Sequence, residues 1–237
     1  MSQIVLGDIT ADVVLKDIKN VHLSVYPPTG RVRISAPRWM SIDTIRLFAI
    51  SKLGWISQQQ QRQRAQERET LRECVDRESH YVWGRRYLMK VVEAEAAPSV
   101  RREHRTLVLQ VRPGSDAAAR HAVLSGWYRD VLKAAVPPLI AAWEPRLEVS
   151  VRGLHLQQMK TKWGSCNAAA RTIRLNTELA KKPSECLEYL VLHEMLHLLE
   201  PTHNARFVAL MTQFMPDWRH RKQTLNRLPI GHPAWAY

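Results

Sequence analysis

His193-Glu194-Met195-Leu196-His197 spells H-E-x-x-H, and a further histidine follows at His203. Histidines four apart stand one turn apart on the same helix face, close enough to share one metal ion. The glutamate beside the first can reach a water activated by that metal and take its proton. These residue types at this spacing are the equipment of a zinc hydrolase, with His193 and His197 as metal ligands and Glu194 as the catalytic base. One Zn2+ per chain is expected.

A catalytic zinc usually takes three protein ligands and leaves a fourth position for water. The third ligand has three candidates. His203 ranks first, because a chain that turns after the helix can bring it back to the metal. Glu200 ranks second: seven residues after His193 it would share the ligand face, but Pro201 disfavours helical geometry there. A distant carboxylate such as Glu178 ranks last. Cys166, in Lys162-Trp163-Gly164-Ser165-Cys166, is not expected to act as nucleophile or ligand, since a fourth protein ligand would close the site. That segment reads as a strand leading into a hairpin, with Gly164 relieving a tight bend. Such a strand beside the metal could bind an extended peptide by backbone pairing.

The metal-bearing segment must be a buried helix. Pro183 and Ser184 provide its start, and Leu187, Leu190, Val191, Leu192, Met195 and Leu196 surround the motif. Upstream, Val21, Leu23 and Val25 alternate with polar residues, Pro27 to Gly30 supplies a turn, and Val32 and Ile34 resume the alternation of a β-hairpin. Ser41 can cap one helix through Ile42, Ile45, Ala49, Leu53 and Ile56, continued by a polar stretch from Gln58 to about Arg72. Strands are expected at 81–92, 106–111, 147–151, 154–159 and 172–176. Helices are expected at 116–135, broken at Pro137-Pro138 and followed by a short piece ending near Trp143, then at 205–214 and 218–228. Arg112 to Asp116 is the candidate boundary between an N-terminal β-rich part with one long helix, 1–112, and a catalytic core, 116–237. The fold class is α+β: a zincin-like core preceded by a mostly β extension.

Composition sets the remaining bounds. The 237 residues are 45% hydrophobic, enough for a substantial core. Cys74, Cys166 and Cys186 are too widely spaced for a zinc ribbon or a disulfide framework, which suits a reducing compartment. No signal peptide and no membrane-length apolar run is visible, so a cytoplasmic protein without a membrane partner is expected. The net charge of +13 is spread along the chain. Residues 1–80 carry 12 basic and 9 acidic groups, 81–150 carry 11 and 7, and 151–237 carry 12 and 6. That distribution supports weak, salt-sensitive association with nucleic acid and nothing more specific.

Several motifs together resemble the YgjP-like metallopeptidase family. They are Lys162-Trp163-Gly164-Ser165-Cys166, Ile173-x-Leu175-Asn176, Pro183, Glu188-Tyr189, the H-E-x-x-H itself, His203, Phe207 and Pro216-Asp217-Trp218. The resemblance is strongest over 150–228, and the N-terminal hairpin and the Phe48-x-x-x-Lys52-x-x-Trp55-Ile56 helix extend it. The family is related to the SprT-like zincin proteases. The resemblance implies a zincin-like fold, a single zinc held by His193, His197 and His203, Glu194 as base, and a peptide or protein substrate. Metzincins place histidines at the same offsets, but a glycine stands there where this chain has Glu200.

Three other readings compete with a peptidase. A metal-dependent nucleotide or phosphoester hydrolase lacks a Gly-rich phosphate loop and clustered carboxylates. A DNA-associated SprT-like protease lacks a zinc finger and a concentrated basic patch. A purely structural zinc protein has no use for Glu194. No residue stands out as a partner for the transition-state oxyanion.

Overall fold

The alternation at Val21–Val25 and Val32–Ile34 becomes an antiparallel pair that sets Leu23 opposite Ile34 and Val25 opposite Val32. The computed structural model describes residues 2–26, 29–65, 72–159 and 162–228; the expected Pro27-Pro28 turn and the helix extension beyond 65 lie outside them. The chain divides into two units, Met1–Glu69 and Thr70–Tyr237, each built on its own apolar core.

In the first unit β1 (Ser2–Leu6), β2 (Ile9–Lys16), β3 (His22–Tyr26) and β4 (Arg31–Pro37) form one sheet in the order β1-β2-β4-β3. Gly7 turns β1 into β2 at φ +63, a conformation open to glycine at no steric cost. Ser41 caps as expected, its hydroxyl accepting from Thr44 N at 3.2 Å. The single long helix expected here is two, α1 (Ile42–Ile50) and α2 (Leu53–Ala65), divided by a turn at Ser51-Lys52. Ile45, Ala49 and Ile56 are buried on both sides of that turn, so the apolar spacing continues across the break.

The second unit begins with β5 (Ser79–Val82), β6 (Arg85–Glu93), β7 (Ser99–Glu103) and β8 (Thr106–Val111), ordered β5-β6-β8-β7. The strand expected at 81–92 is thus a hairpin. Trp83 and Gly84 turn it with φ of 51 and 75, the two left-handed positions of a tight two-residue loop. A tryptophan there hides the turn from sequence; its N–H donates to Ala180 O at 2.9 Å, which helps hold it.

Asp116 accepts from Ala119 N at 2.7 Å and starts α3 (Ala117–Leu147), which runs unbroken through Pro137-Pro138. Leu132, Val136, Trp143 and Leu147 all enter the core from this helix. Their burial, about 1.5–3 kcal/mol each, offsets a cost of the same order for the interior prolines Pro137, Pro138 and Pro145. Leu147 therefore ends a helix instead of opening a strand, and Glu148 caps it at φ 55. Leu107, Leu109 and Val111 of β8 share one core with Leu124, Tyr128 and Leu132 of α3. The boundary expected at 112–116 consequently falls inside the second unit, and the division lies at 69/70.

A three-stranded sheet follows, β9 (Gly153–Gln157), β10 (Gly164–Asn167) and β11 (Thr172–Asn176), ordered β10-β11-β9. After a 3-10 turn at Thr177–Lys181 come α4 (Ser184–Leu196), α5 (Ala205–Phe214) and α6 (Trp218–Arg227). The molecule is α+β as expected. No described helix is long and apolar enough to cross a membrane.

Candidate metal centre

Helix α4 is apolar nearly all round, and Cys186, Leu187, Leu190, Val191, Leu192, Met195 and Leu196 are buried with it. His193 lies in its last turn and His197 is its C-cap. Glu200 N still bonds back to Leu196 O at 2.9 Å, but Pro201 carries the chain away. Asn204 then caps α5 by accepting from Phe207 N at 3.0 Å. The short reversal between these caps returns His203 to α4.

The three imidazoles converge. Their ring centroids lie 5.0 Å apart for His193 and His197, 4.9 Å for His193 and His203, and 4.7 Å for His197 and His203. One nitrogen of each lies within 4.8 Å of the others, and Nε2 of His203 is 3.0 Å from Nε2 of His193. Nitrogens bound tetrahedrally to one zinc at about 2.05 Å would stand about 3.3 Å apart, so the spacing fits such an ion. Nδ1 of His197 lies 3.0 Å from Glu200 O. A carbonyl can only accept, so Nδ1 carries the proton and the Nε2 lone pair is left for a metal. Burial pushes His193 down to about 3 and lowers His203, with the neighbouring imidazoles and Lys222 adding to it. Neutral imidazole is the form a metal needs.

Neither alternative third ligand joins this group. Glu200 contributes its carbonyl, while its carboxylate accepts from Thr202 Oγ1 at 3.3 Å. Glu178 is buried elsewhere, with Lys181 Nζ 2.9 Å from both its oxygens. Cys74, Glu78 and His80 form the other metal-capable group among the described residues. Hydrogen bonds already account for its arrangement: Glu78 accepts from Glu73 N and Val75 N at 3.2 and 3.3 Å, with His80 Nε2 at 3.3 Å.

Glu194 is buried beside the imidazoles, and burial pushes its carboxyl up to about 7, the charge of Lys162 opposing this. The backbone of β10 lies against it. A Cβ built on Gly164 would stand 2.6 Å from Glu194 Oε1, 2.9 Å from Cγ and 3.0 Å from Cδ. Gly164 is therefore a close-approach glycine against the carboxylate and not the relief of a bend. Burial and Glu194 together push the Cys166 thiol up to about 11, so it is no thiolate nucleophile.

Asn176 fixes the segment that carries this strand. Its Nδ2 donates to Met159 O and Lys162 O at 2.8 and 2.9 Å, and its Oδ1 accepts from Glu178 N at 3.1 Å. Phe207 forms the floor, stacked on His197 at 4.8 Å and edge-on to His193 and His203 at 5.0 and 4.8 Å. Met211 and Met215, in contrast, fill the core. Sequence reasoning gave no role to Asn176 or Phe207. The signal for Phe207 was an aromatic four residues after a candidate ligand; nothing in the sequence announced the backbone partners of Asn176.

The site opens into a cleft of about 530 Å3 lined by Lys162, Trp163, Gly164, Tyr189, Trp218 and Lys222 beside His193, Glu194 and His203. A larger groove of about 880 Å3, along Trp83, Arg102, Leu139 and Glu188, contains none of the H-E-x-x-H residues. The arrangement is a cluster of three imidazoles that could hold a metal ion, with a buried carboxylate at its edge.

That arrangement agrees with the family match. The YgjP-like metallopeptidase domain matches residues 19–228, and the chain belongs to this family. A metal-dependent peptidase is what the family supports. No curated protein matches the chain significantly. Among solved structures, the metallopeptidase zymogen of Methanocaldococcus jannaschii jannalysin is similar at 19% identity, over 41% of this chain and 92% of its own, with a TM-score of 0.31.

Proposed function

We propose that the protein is a zinc-dependent peptidase in which His193, His197 and His203 hold one zinc and Glu194 is the general base. The observation that carries this reading is the convergence of three imidazoles beside a buried glutamate. Zinc, when bound, supplies Lewis acidity that lowers the pKa of a water to about 7 and polarises the substrate carbonyl. Glu194 takes the proton of the attacking water and delivers it to the leaving amine. Gly164 lets the strand close over Glu194 and keeps that carboxylate in one position. β10 lies at the edge of its sheet, where an extended peptide could add as a further strand next to the cleft.

Elemental analysis of wild type and His193→Ala tests the metal, and casein hydrolysis by wild type and Glu194→Gln tests the base. About one zinc per wild-type chain is expected, lost in His193→Ala. Glu194→Gln should keep zinc and lose hydrolysis; confirmed activity in that variant would remove Glu194 from the mechanism. UTP as a rival substrate separates peptide from phosphoester chemistry. In the cell, a cytoplasmic location is the setting this reading assigns to the enzyme, as its cysteines suit reducing conditions.

A further inference from the structure

Resting on that reading, we propose that the cleft selects peptides carrying a carboxylate close to the scissile bond, with Lys162 and Lys222 as its recognition residues. Both lysines are exposed and both line the cleft. Glu194 is the sole carboxylate among the described lining residues, and it is buried beneath β10 as the base. The substrate therefore meets cations on the walls and no competing surface acid.

The two lysines stand at separate parts of the cleft. Lys162 leads into β10 beside Trp163, and its charge acts on Glu194. Lys222 projects from α6, with Nζ 5.6 Å from the Trp218 ring, and its charge acts on both His193 and His203. Both thus line the cleft close to the reacting centre, and Lys222 also stands beside an indole. The neighbouring acids are otherwise engaged: Asp217 and Glu188 are both paired with Arg221. Half-buried Trp163, Val208 and Trp218 supply apolar contact surface, with Leu190 and Leu225 buried behind them. A peptide with Glu or Asp beside an apolar residue matches these walls in charge and polarity.

A cationic wall discriminates by attraction to acids and by repulsion of lysine or arginine at the same substrate position. The test uses the full chain loaded with zinc and three peptides of equal length that differ only beside the scissile bond, in Glu, Gln or Lys. Tryptophan fluorescence reads their binding to Glu194→Gln, and kcat/KM is measured on wild type. The expected order is Glu over Gln over Lys, by about five- to tenfold per step, shrinking as salt rises. Lys162→Glu and Lys222→Glu should reverse it, and Lys162→Gln with Lys222→Gln should flatten it.

Equal binding of the three peptides, or an order that survives both reversals, would overturn the proposal. So would an oligonucleotide that displaces the Glu peptide at lower concentration than the peptide itself needs, because the wall would then serve phosphates. Preferential binding of the Glu peptide without cleavage by wild type would refute the peptidase reading and leave the carboxylate site standing.

Discussion

Gly164→Ala should disable the enzyme while leaving its metal in place. The new methyl would stand 2.6 Å from Glu194 Oε1 and within 3.0 Å of Cγ and Cδ, so one atom cannot simply rotate aside. Restoring ordinary contact at about 3.4 Å requires the carboxylate to retreat by about 0.8 Å. A misplacement of about 1 Å in a reacting group costs on the order of 10²-fold in rate, and kcat on a casein-derived peptide should fall by about that factor. Overpacking should also lower stability by about 1–3 kcal/mol. The imidazoles are supported from other directions, by the Phe207 ring and the Glu200 carbonyl, so zinc per chain should be unchanged. Gly126→Ala is the control: no atom lies within 4 Å of its built Cβ, and alanine in α3 should gain about 0.5–1 kcal/mol without altering kcat. A Gly164→Ala enzyme with full kcat, or one that loses its zinc, would refute the reasoning.

Asn176→Ala should lower stability by about 3 kcal/mol, because it leaves the carbonyls of Met159 and Lys162 and the Glu178 N–H without their partner. Urea unfolding measures that loss, and kcat should drop with zinc retained as the Lys162–Gly164 segment loosens. Phe207→Ala should cost about 3–5 kcal/mol and speed zinc loss to a chelator, with Phe207→Leu intermediate. His80 is buried and neutral, its pKa pushed down to about 4 chiefly by desolvation. Unfolding restores its ordinary value near 6.5, so its contribution to stability is complete above that pH and is lost as pH falls toward 4. Unfolding free energies of wild type and His80→Gln at pH 7.5 and 4.5 should show the weaker pH dependence in the variant; parallel slopes would contradict the assignment.

The candidate ligands were legible because a helix converts spacing into direction: His193 and His197 had to share a face once α4 was recognised. His203 was legible as a candidate, and Pro201 is the residue that made its return plausible. Elements with clean periodicity, such as the strand at 106–111 and the hairpin around Val25 and Val32, appear where alternation put them. Misreadings occurred where tertiary contact overrode a local rule. α3 ignores Pro137-Pro138 because its apolar face is buried beyond them, and the Trp83-Gly84 turn uses a tryptophan where the rules ask for asparagine or glycine. β1 and β2 are absent from the expected strands although Gly7-Asp8 between apolar runs is a hairpin signal. Trp55, which stands in α2 next to the buried Ile56, is exposed. The support of Glu194 was hidden for a different reason: the relevant atoms at Gly164 are backbone, and sequence records side chains.

The hydrogen bond from His197 to the carbonyl of Glu200 has a counterpart in mutational genetics. Residue 200 supports a ligand through an atom that every amino acid possesses, so an alanine scan would pass over it in silence. Substitutions that keep the reversal would be tolerated there, and the position would drift freely between related chains. The same drift would be fatal at 203. A map of mutational tolerance across this loop would thus show a permissive site inside the machinery, and only changes that redirect the main chain, such as deleting a residue between 198 and 202, would expose what position 200 does.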